Sequence, residues 1–195
     1  MAKINKKGAL DESANLEMSV MYRLKHANIL RVKESFWSPD ETGFMMLTEY
    51  CPFGSIQRQI NARIDNKKAI HRNKNFSPLL IKICLHDILN ALSHISSKNY
   101  IHLDIKPDNI LINDASDRYS FPRFVLADFG TIRILEKKEE IVPQSIGTLN
   151  FMSPELKRVE NKMVGRFADI YSFGRTLFEM CAIGLPQEVG YKVFT

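Results

Sequence analysis

The sequence has few cysteines: Cys51, Cys84 and Cys181 are widely scattered, and no two form a CxxC pair. That leaves no disulfide framework and no cysteine-based zinc site, and it fits a reducing compartment. No apolar stretch approaches the roughly 18 to 20 residues that span a bilayer. The basic start, with Lys3, Lys6 and Lys7, is not followed by the apolar region of a signal peptide. Neither membrane insertion nor secretion is expected; the expected location is the cytoplasm, with the nucleus left open. Internal repeats and low-complexity tracts are absent as well. Basic residues are spread along the chain, densest at Arg58, Arg63, Lys67, Lys68, Arg72 and Lys74, but no aromatic residues interleave with them to stack bases. This patch reads as the solvated face of a helix-to-helix connection, and no nucleic-acid partner is expected.

What remains is an ordinary globular composition: 195 residues, 45% hydrophobic and 25% charged, with a formal net charge of +5. A chain of this length buries roughly 70% of its unfolded surface, enough for one sizeable core. The residues from Leu10 to Lys25 predict a helix, with Ala14, Met18, Met21 and Leu24 at helical spacing and Asp11 and Glu12 in the first turn. Glu17 falls within that apolar stripe. Either the helix tilts to leave Glu17 in water, or Glu17 is buried and requires a cationic partner.

Strand-like runs follow, Ile29 to Phe36 and Phe44 to Tyr50, around a turn-rich stretch from Ser38 to Gly43, and predict an antiparallel hairpin. Cys51-Pro52-Phe53-Gly54-Ser55 breaks the pattern and reads as a linker between two halves. Ser77-Pro78 is a cap with proline at the first helical position, opening an amphipathic helix through Leu80, Cys84, Ile88, Leu92 and Ile95 that ends near Asn99. A last helix, about Asp169 to Ile183, is apolar on most sides and therefore buried.

Between Asn99 and Gly130 the chain stops being generic. A charge-dense loop, Tyr100 to Asn109, precedes an apolar strand, Ile110 to Ile112; a turn-rich stretch leads to a second strand, Phe124 to Ala127, and Asp128-Phe129-Gly130 follows. If the two strands pair as a hairpin, Asn109 entering the first and Asp128 leaving the second stand side by side. An amide oxygen and a carboxylate converging there make a hard, oxygen-rich site suited to magnesium that is also held by phosphate oxygens. Asp104 and Lys106, earlier on the same loop, supply a base and a positive charge.

Four stretches, in order, resemble the eukaryotic protein kinase domain: His102-Leu103-Asp104-Ile105-Lys106-Pro107-Asp108-Asn109, Asp128-Phe129-Gly130, Gly147 through Glu155, and Asp169-Ile170-Tyr171-Ser172-Phe173-Gly174. The resemblance implies an α+β bilobal fold. A partial, β-rich N-lobe would cover 1–50, a hinge 51–55, and a mainly helical, partial C-lobe 56–195. It implies ATP and magnesium as cofactors and transfer of the γ-phosphoryl group to a protein Ser/Thr hydroxyl. Asp104 would act as base and Lys106 would stabilise the moving phosphoryl group; Asn109 and Asp128 would hold magnesium. Lys3, on a short N-terminal strand, would pair with Glu17 and orient the phosphates. Glu49, Tyr50 and Cys51 would form the hinge whose backbone meets adenine; Thr48 would stand behind it as gatekeeper and Leu111 would close it from below.

Other matching positions imply structural roles. His102 would pack with Phe129, Met21 and Val32, Asp169 would anchor the catalytic-loop backbone, and Thr148 would shape the substrate groove. Ile105-Lys106-Pro107 and Gly147-Thr148 resemble the serine/threonine type, and the Gly147–Glu155 stretch is loosely similar to the never-in-mitosis-related kinases.

The chain departs from the family at Leu103, where most regulated kinases carry an arginine that pairs with a phosphate on the activation segment; leucine cannot. Phosphorylation at Ser145 is therefore expected to change activity little. No glycine-rich phosphate loop precedes Lys3, and no helices follow the last one to supply an arginine for Glu155. The expectation is a domain cut at both ends, with the N-terminal strand exposing an unpaired edge. The rival expectation is a kinase-like module that binds nucleotide or partners without turnover.

Overall fold

A computed structural model describes residues 2–6, 12–37, 43–65, 75–114, 121–135, 139–141, 146–157 and 163–183. The chain opens with β1 (Ala2–Lys6), α1 (Glu12–Arg23), β2 (Val32–Trp37) and β3 (Gly43–Thr48). The three strands form one antiparallel sheet in the order β1-β3-β2. Lys3 stands opposite Met46 in its register, and β2 carries an irregularity between Val32 and Glu34. β1 is thus an edge strand among the described residues. Helix α1 turns Val20 and Met21 into the core, where Leu24, just past its end, and Met46 of β3 are also buried. Period 3.6 on the helix and period 2 on the strand bring these apolar positions to one interior.

The second strand is shorter than the periodicity predicts. Ile29 makes only an isolated parallel bridge to Leu126, because its segment leaves the small sheet to run beside the large half of the molecule. The segment is held there by Leu30 N–H to Leu126 O (2.8 Å), Leu126 N–H to Asn28 O (2.9 Å) and Asn28 Nδ2 to Phe124 O (3.0 Å). An apolar run that belongs to an inter-half seam looks, in sequence, like a strand.

The larger half begins with α2 (Ile56–Asp65), which the sequence reading folded into a basic surface patch, and α3 (Pro78–Ser97). Ser77 caps α3, its side chain accepting from Leu80 N–H at 3.3 Å, with Pro78 in the first turn. By length and composition α3 is apolar enough to cross a membrane, which corrects the expectation that no stretch comes near that size. Here its stripe of Cys84, Ile88, Ala91, Leu92 and Ile95 is buried in the protein core. Asp87, on the same helix, accepts the Phe124 backbone N–H at 2.9 Å.

Short strands β4 (Tyr100–Ile101), β5 (Ile110–Asn113), β6 (Arg123–Leu126), β7 (Arg133–Ile134), β8 (Glu139–Ile141) and β9 (Met163–Gly165) form three two-stranded ribbons, β4-β7, β5-β6 and β8-β9. A short helix α4 (Pro154–Lys157) and the long α5 (Phe167–Cys181) complete the described chain. Among these, β5 and β6 were predicted, and they pair antiparallel with Ile110 opposite Leu126. The ribbons β4-β7 and β8-β9 are too short for alternation to show.

Candidate functional site

The loop between β4 and β5 is fixed from below by α5. Asp169, in the first turn of α5, accepts the backbone N–H groups of His102 and Leu103, both at 2.8 Å. Burial pushes the Asp169 carboxyl up, while His102 and the two N–H bonds act against that shift. The anchoring role expected for Asp169 is therefore what the geometry displays. His102 is fully buried, which pushes its imidazole pKa down, and its ring meets Phe129 edge-on with centroids 4.9 Å apart. Nε2 lies 3.2 Å from Ala127 O, and Nδ1 accepts Asp104 N–H at 3.3 Å. One neutral ring thus ties the strand that leads into Asp128 to the loop that carries Asp104. Met21 and Phe129 lie in the main core, with Val32 packed against it.

Asp104, Lys106, Asn109 and Thr148 interlock. Lys106 Nζ stands 2.7 Å from Asp104 Oδ2 and donates to Thr148 Oγ1 at 2.8 Å. Thr148 in turn donates to Asp104 Oδ1 at 2.8 Å. Asn109 Nδ2 donates to Asp104 O (2.8 Å) and to Asp104 Oδ2 (3.0 Å). Both oxygens of a carboxylate only 9% exposed are thereby oriented by three side chains. Thr148, expected only to shape a groove, is the third member of this cluster. A hydroxyl 44 residues away from an acid carries no signal of that pairing in a single sequence.

The ribbon brings Asn109 and Asp128 to one end, with a correction. Ala127, not Asp128, stands across from Asn109, and its N–H reaches Asn109 O at 2.8 Å. Asp128 lies one residue beyond, exposed and at φ 61°, so the backbone has already left the strand. Asn109 spends its amide hydrogens on Asp104. Its Oδ1 has no partner among the described residues. An amide oxygen and an exposed carboxylate are a donor set that fits magnesium, whose remaining positions phosphate oxygens and water would fill.

The other predicted positions lie on β1, α1, the end of β3, the linker that follows it, and β5. Glu17 is only 3% exposed, which excludes the solvated alternative. Lys3 lies on β1, and its pairing with Glu17 involves a side chain outside the described residues. Half-buried Thr48 ends β3 and donates to Glu49 O at 3.1 Å. Glu49 uses its side chain as a clasp, Oε1 accepting Arg31 N–H (3.0 Å) and Oε2 accepting Asn113 Nδ2 (2.9 Å) and Arg123 (3.1 Å). This fastens the small sheet to both strands of the ribbon. Cys51 is buried with its thiol pushed up to about 11, mainly by burial and then by Glu49, so it is no nucleophile. Its backbone N–H has no partner among the described residues. Leu111, half-buried on β5, lies beside the linker through the Ser55 bridge.

Leu103 is buried, 3% exposed, at φ 67°. It packs in a second apolar cluster with Ile101, Leu135, Ile146, Leu156 and Ala168. Ser145 lies outside the described residues. Arg175, which sequence reading passed over, is buried on α5, pairs with Glu179 at 3.3 Å and donates to Asn150 O at 3.4 Å. A lone arginine on a mainly apolar helix was the available signal.

Residues 1–190 match the family model described as the protein kinase domain. The chain is similar to the serine/threonine-protein kinase Nek1 of Mus musculus, 32% identical over 92% of this chain and 13% of that protein. It is 30% identical to the serine/threonine-protein kinase Nek5 of Homo sapiens, over 91% of this chain and 23% of that protein. It is also 30% identical to the serine/threonine-protein kinase ppk34 of Schizosaccharomyces pombe, over 87% of this chain and 44% of that protein. The chain thus spans less than half the length of each of these relatives.

Proposed function

The chain belongs to the protein kinase domain family, and from that premise we propose that it transfers the γ-phosphoryl group of ATP to a serine or threonine hydroxyl of a protein. The observation that carries this reading is the Asp104–Lys106–Thr148 interlock at 2.7–2.8 Å. A carboxylate whose Oδ2 meets Lys106 and the Asn109 amide and whose Oδ1 accepts from Thr148 is aimed before any acceptor arrives, which is where positioned acid–base catalysis gains its roughly 10²–10⁴-fold.

Asp104 takes the proton of the acceptor hydroxyl as that oxygen attacks. Lys106, already beside Asp104, places its ammonium against the charge of the transferring phosphoryl group. Asn109 Oδ1 and the Asp128 carboxylate would hold magnesium. When bound, the ion neutralises charge on the phosphate oxygens. Lys3, paired with Glu17, orients the phosphates. The backbone at Glu49 and Cys51 meets adenine, with Thr48 behind it and Leu111 beneath. In this reading 1–50 is the small lobe, 51–55 the hinge and 56–195 the large lobe. The names of the relatives, all serine/threonine kinases, support the acceptor class.

The test is transfer of radiolabelled γ-phosphate to a mixed-histone acceptor by this chain and by its Asp128→Ala and Asp104→Asn variants. Signal is expected from the parent chain and a loss of at least about 10²-fold in each variant. Equal signals from all three would refute the reading.

A further inference from the structure

We propose that the cavity at the seam between the two halves is a second ligand site, for a small organic anion that carries a phosphate head on an apolar body. The cavity encloses about 710 Å³, within the roughly 300–1,000 Å³ typical of ligand pockets. The end of α1, the 24–33 segment, Glu49 and Arg123 of β6 surround it, and Asp104, Asn109 and Asp128 have no part in its lining. Met21, Leu24 and Ile29 form its apolar floor, each no more than 5% exposed. An apolar floor with a few polar groups converging above it is the usual build of a small-molecule site.

The charge of the ligand follows from the walls. Lys25, Arg31, Lys33 and Arg123 line the cavity, and Glu49 is the one acid among the described residues that does so. Glu49 is already committed: Oε1 accepts Arg31 N–H at 3.0 Å, and Oε2 accepts Asn113 Nδ2 (2.9 Å) and Arg123 Nη2 (3.1 Å). No acid among the described residues pairs with the side chains of Lys25, Arg31 or Lys33. Burial, and then His94, push the pKa of His26 down, so this wall residue stays neutral at pH 7. Three uncompensated cations around one hollow focus a positive field, and a doubly charged phosphate answers it better than a single carboxylate. Arg123 adds a buried donor. Its Nη1 donates to Ala27 O and its Nη2 to Glu49, while its Nε is buried with no acceptor among the described residues. Such an orphaned donor is costly, and a ligand oxygen would relieve that cost.

The test is isothermal titration calorimetry of the chain with 1-naphthyl phosphate at low salt. Of two control compounds, 1-naphthol keeps the apolar body without the charge and 1-naphthylmethylamine reverses the charge. The titration needs no nucleotide and no transfer, so it stands or falls apart from the phosphoryl-transfer reading. Saturable binding with a Kd below about 1 mM is expected for the phosphate alone. Arg31→Gln and Lys33→Gln should each weaken it about threefold or more, and the two together about tenfold or more. Both side chains are exposed, so these variants keep the parent's melting temperature. Lys82→Gln, exposed on α3 and outside the cavity, should bind as the parent does. Absence of saturable binding, equal binding of either control compound, or parent-like binding by the double variant would overturn the proposal. So would an equal loss in Lys82→Gln, which would make the attraction one of net charge rather than of this cavity.

Discussion

Replacing Gly147 by alanine should damage stability and activity together, and the structure supplies both magnitudes. Gly147 has φ 91°, and a Cβ placed there would stand 2.3 Å from the backbone oxygen of Leu103. Leu103 cannot yield, because Asp169 holds its N–H at 2.8 Å and its side chain is buried. Reaching an ordinary contact of 3.4 Å requires the two segments to part by about 1 Å. Thr148 is the next residue, and its 2.8 Å bonds to Asp104 and Lys106 do not survive that shift.

The unfavourable backbone conformation costs about 1–2 kcal/mol, and the broken bonds at a buried carboxylate add about 1–3. With a total near 3 kcal/mol, the melting temperature should fall by roughly 6–12 °C. A base displaced by about 1 Å should lose on the order of 10²-fold in turnover. Gly174 is the internal control. It lies inside α5 with no neighbour within 4 Å of an added Cβ, so Gly174→Ala should stabilise by about 0.5–1 kcal/mol. Differential scanning fluorimetry and the γ-phosphate assay read both variants. A Gly147→Ala chain that melts within about 2 °C of the parent and keeps its activity would refute the reasoning.

Leu103→Arg should destabilise the chain by about 3–5 kcal/mol, seen as a lower urea midpoint, because it places a charge within a wholly apolar cluster. Ser145→Ala should leave turnover essentially unchanged, since phosphate at that position has no arginine at 103 to meet; a large loss would count against this. His102→Gln should flatten the pH dependence of stability. Burial holds the His102 pKa below its ordinary 6.5, so the unfolded chain binds the proton first, and stability falls as pH drops below about 6.5 by up to about 1.4 kcal/mol per unit. Glutamine keeps a donor and an acceptor without titrating; urea melts at pH 7.5 and 5.5 that differ equally in both proteins would rule the effect out.

What could be read from the sequence divides by the range over which each signal acts. The Ser77 cap, the stripe of α3 and the β5–β6 pairing depend on neighbours within a few residues, and the chain spells them out. Asp104, Lys106 and Asn109 come together because they share one loop, and Asp128 follows the partner strand. Asp128 was misplaced by one register position, for hydrophobic alternation does not reveal where a strand turns to positive φ. Thr148 was given too small a part, and Arg175 none, because the Thr148 bond to Asp104 and the Arg175 bond to Asn150 O cross long separations. Ile29 was misread as strand for a related reason: its apolar character serves the seam between halves, and burial alone does not distinguish a seam from a sheet.

Leu103 shows how a departure read as a loss acquires a function once its surroundings are known. In sequence it is a missing cation, and the inference stops at a phosphate that finds no partner. In the fold it is a buried apolar side chain in one cluster with Ile101 of β4, Ala168 of α5, Leu135, Ile146 and Leu156. Burying one leucine side chain is worth about 1.5–3 kcal/mol, comparable to a charge-assisted hydrogen bond, and it is present without any modification. The left-handed conformation of Leu103 turns its carbonyl toward Gly147, and the absence of a Cβ there lets Thr148 reach Asp104. The apolar cluster and the Asp104 interlock therefore share one backbone contact.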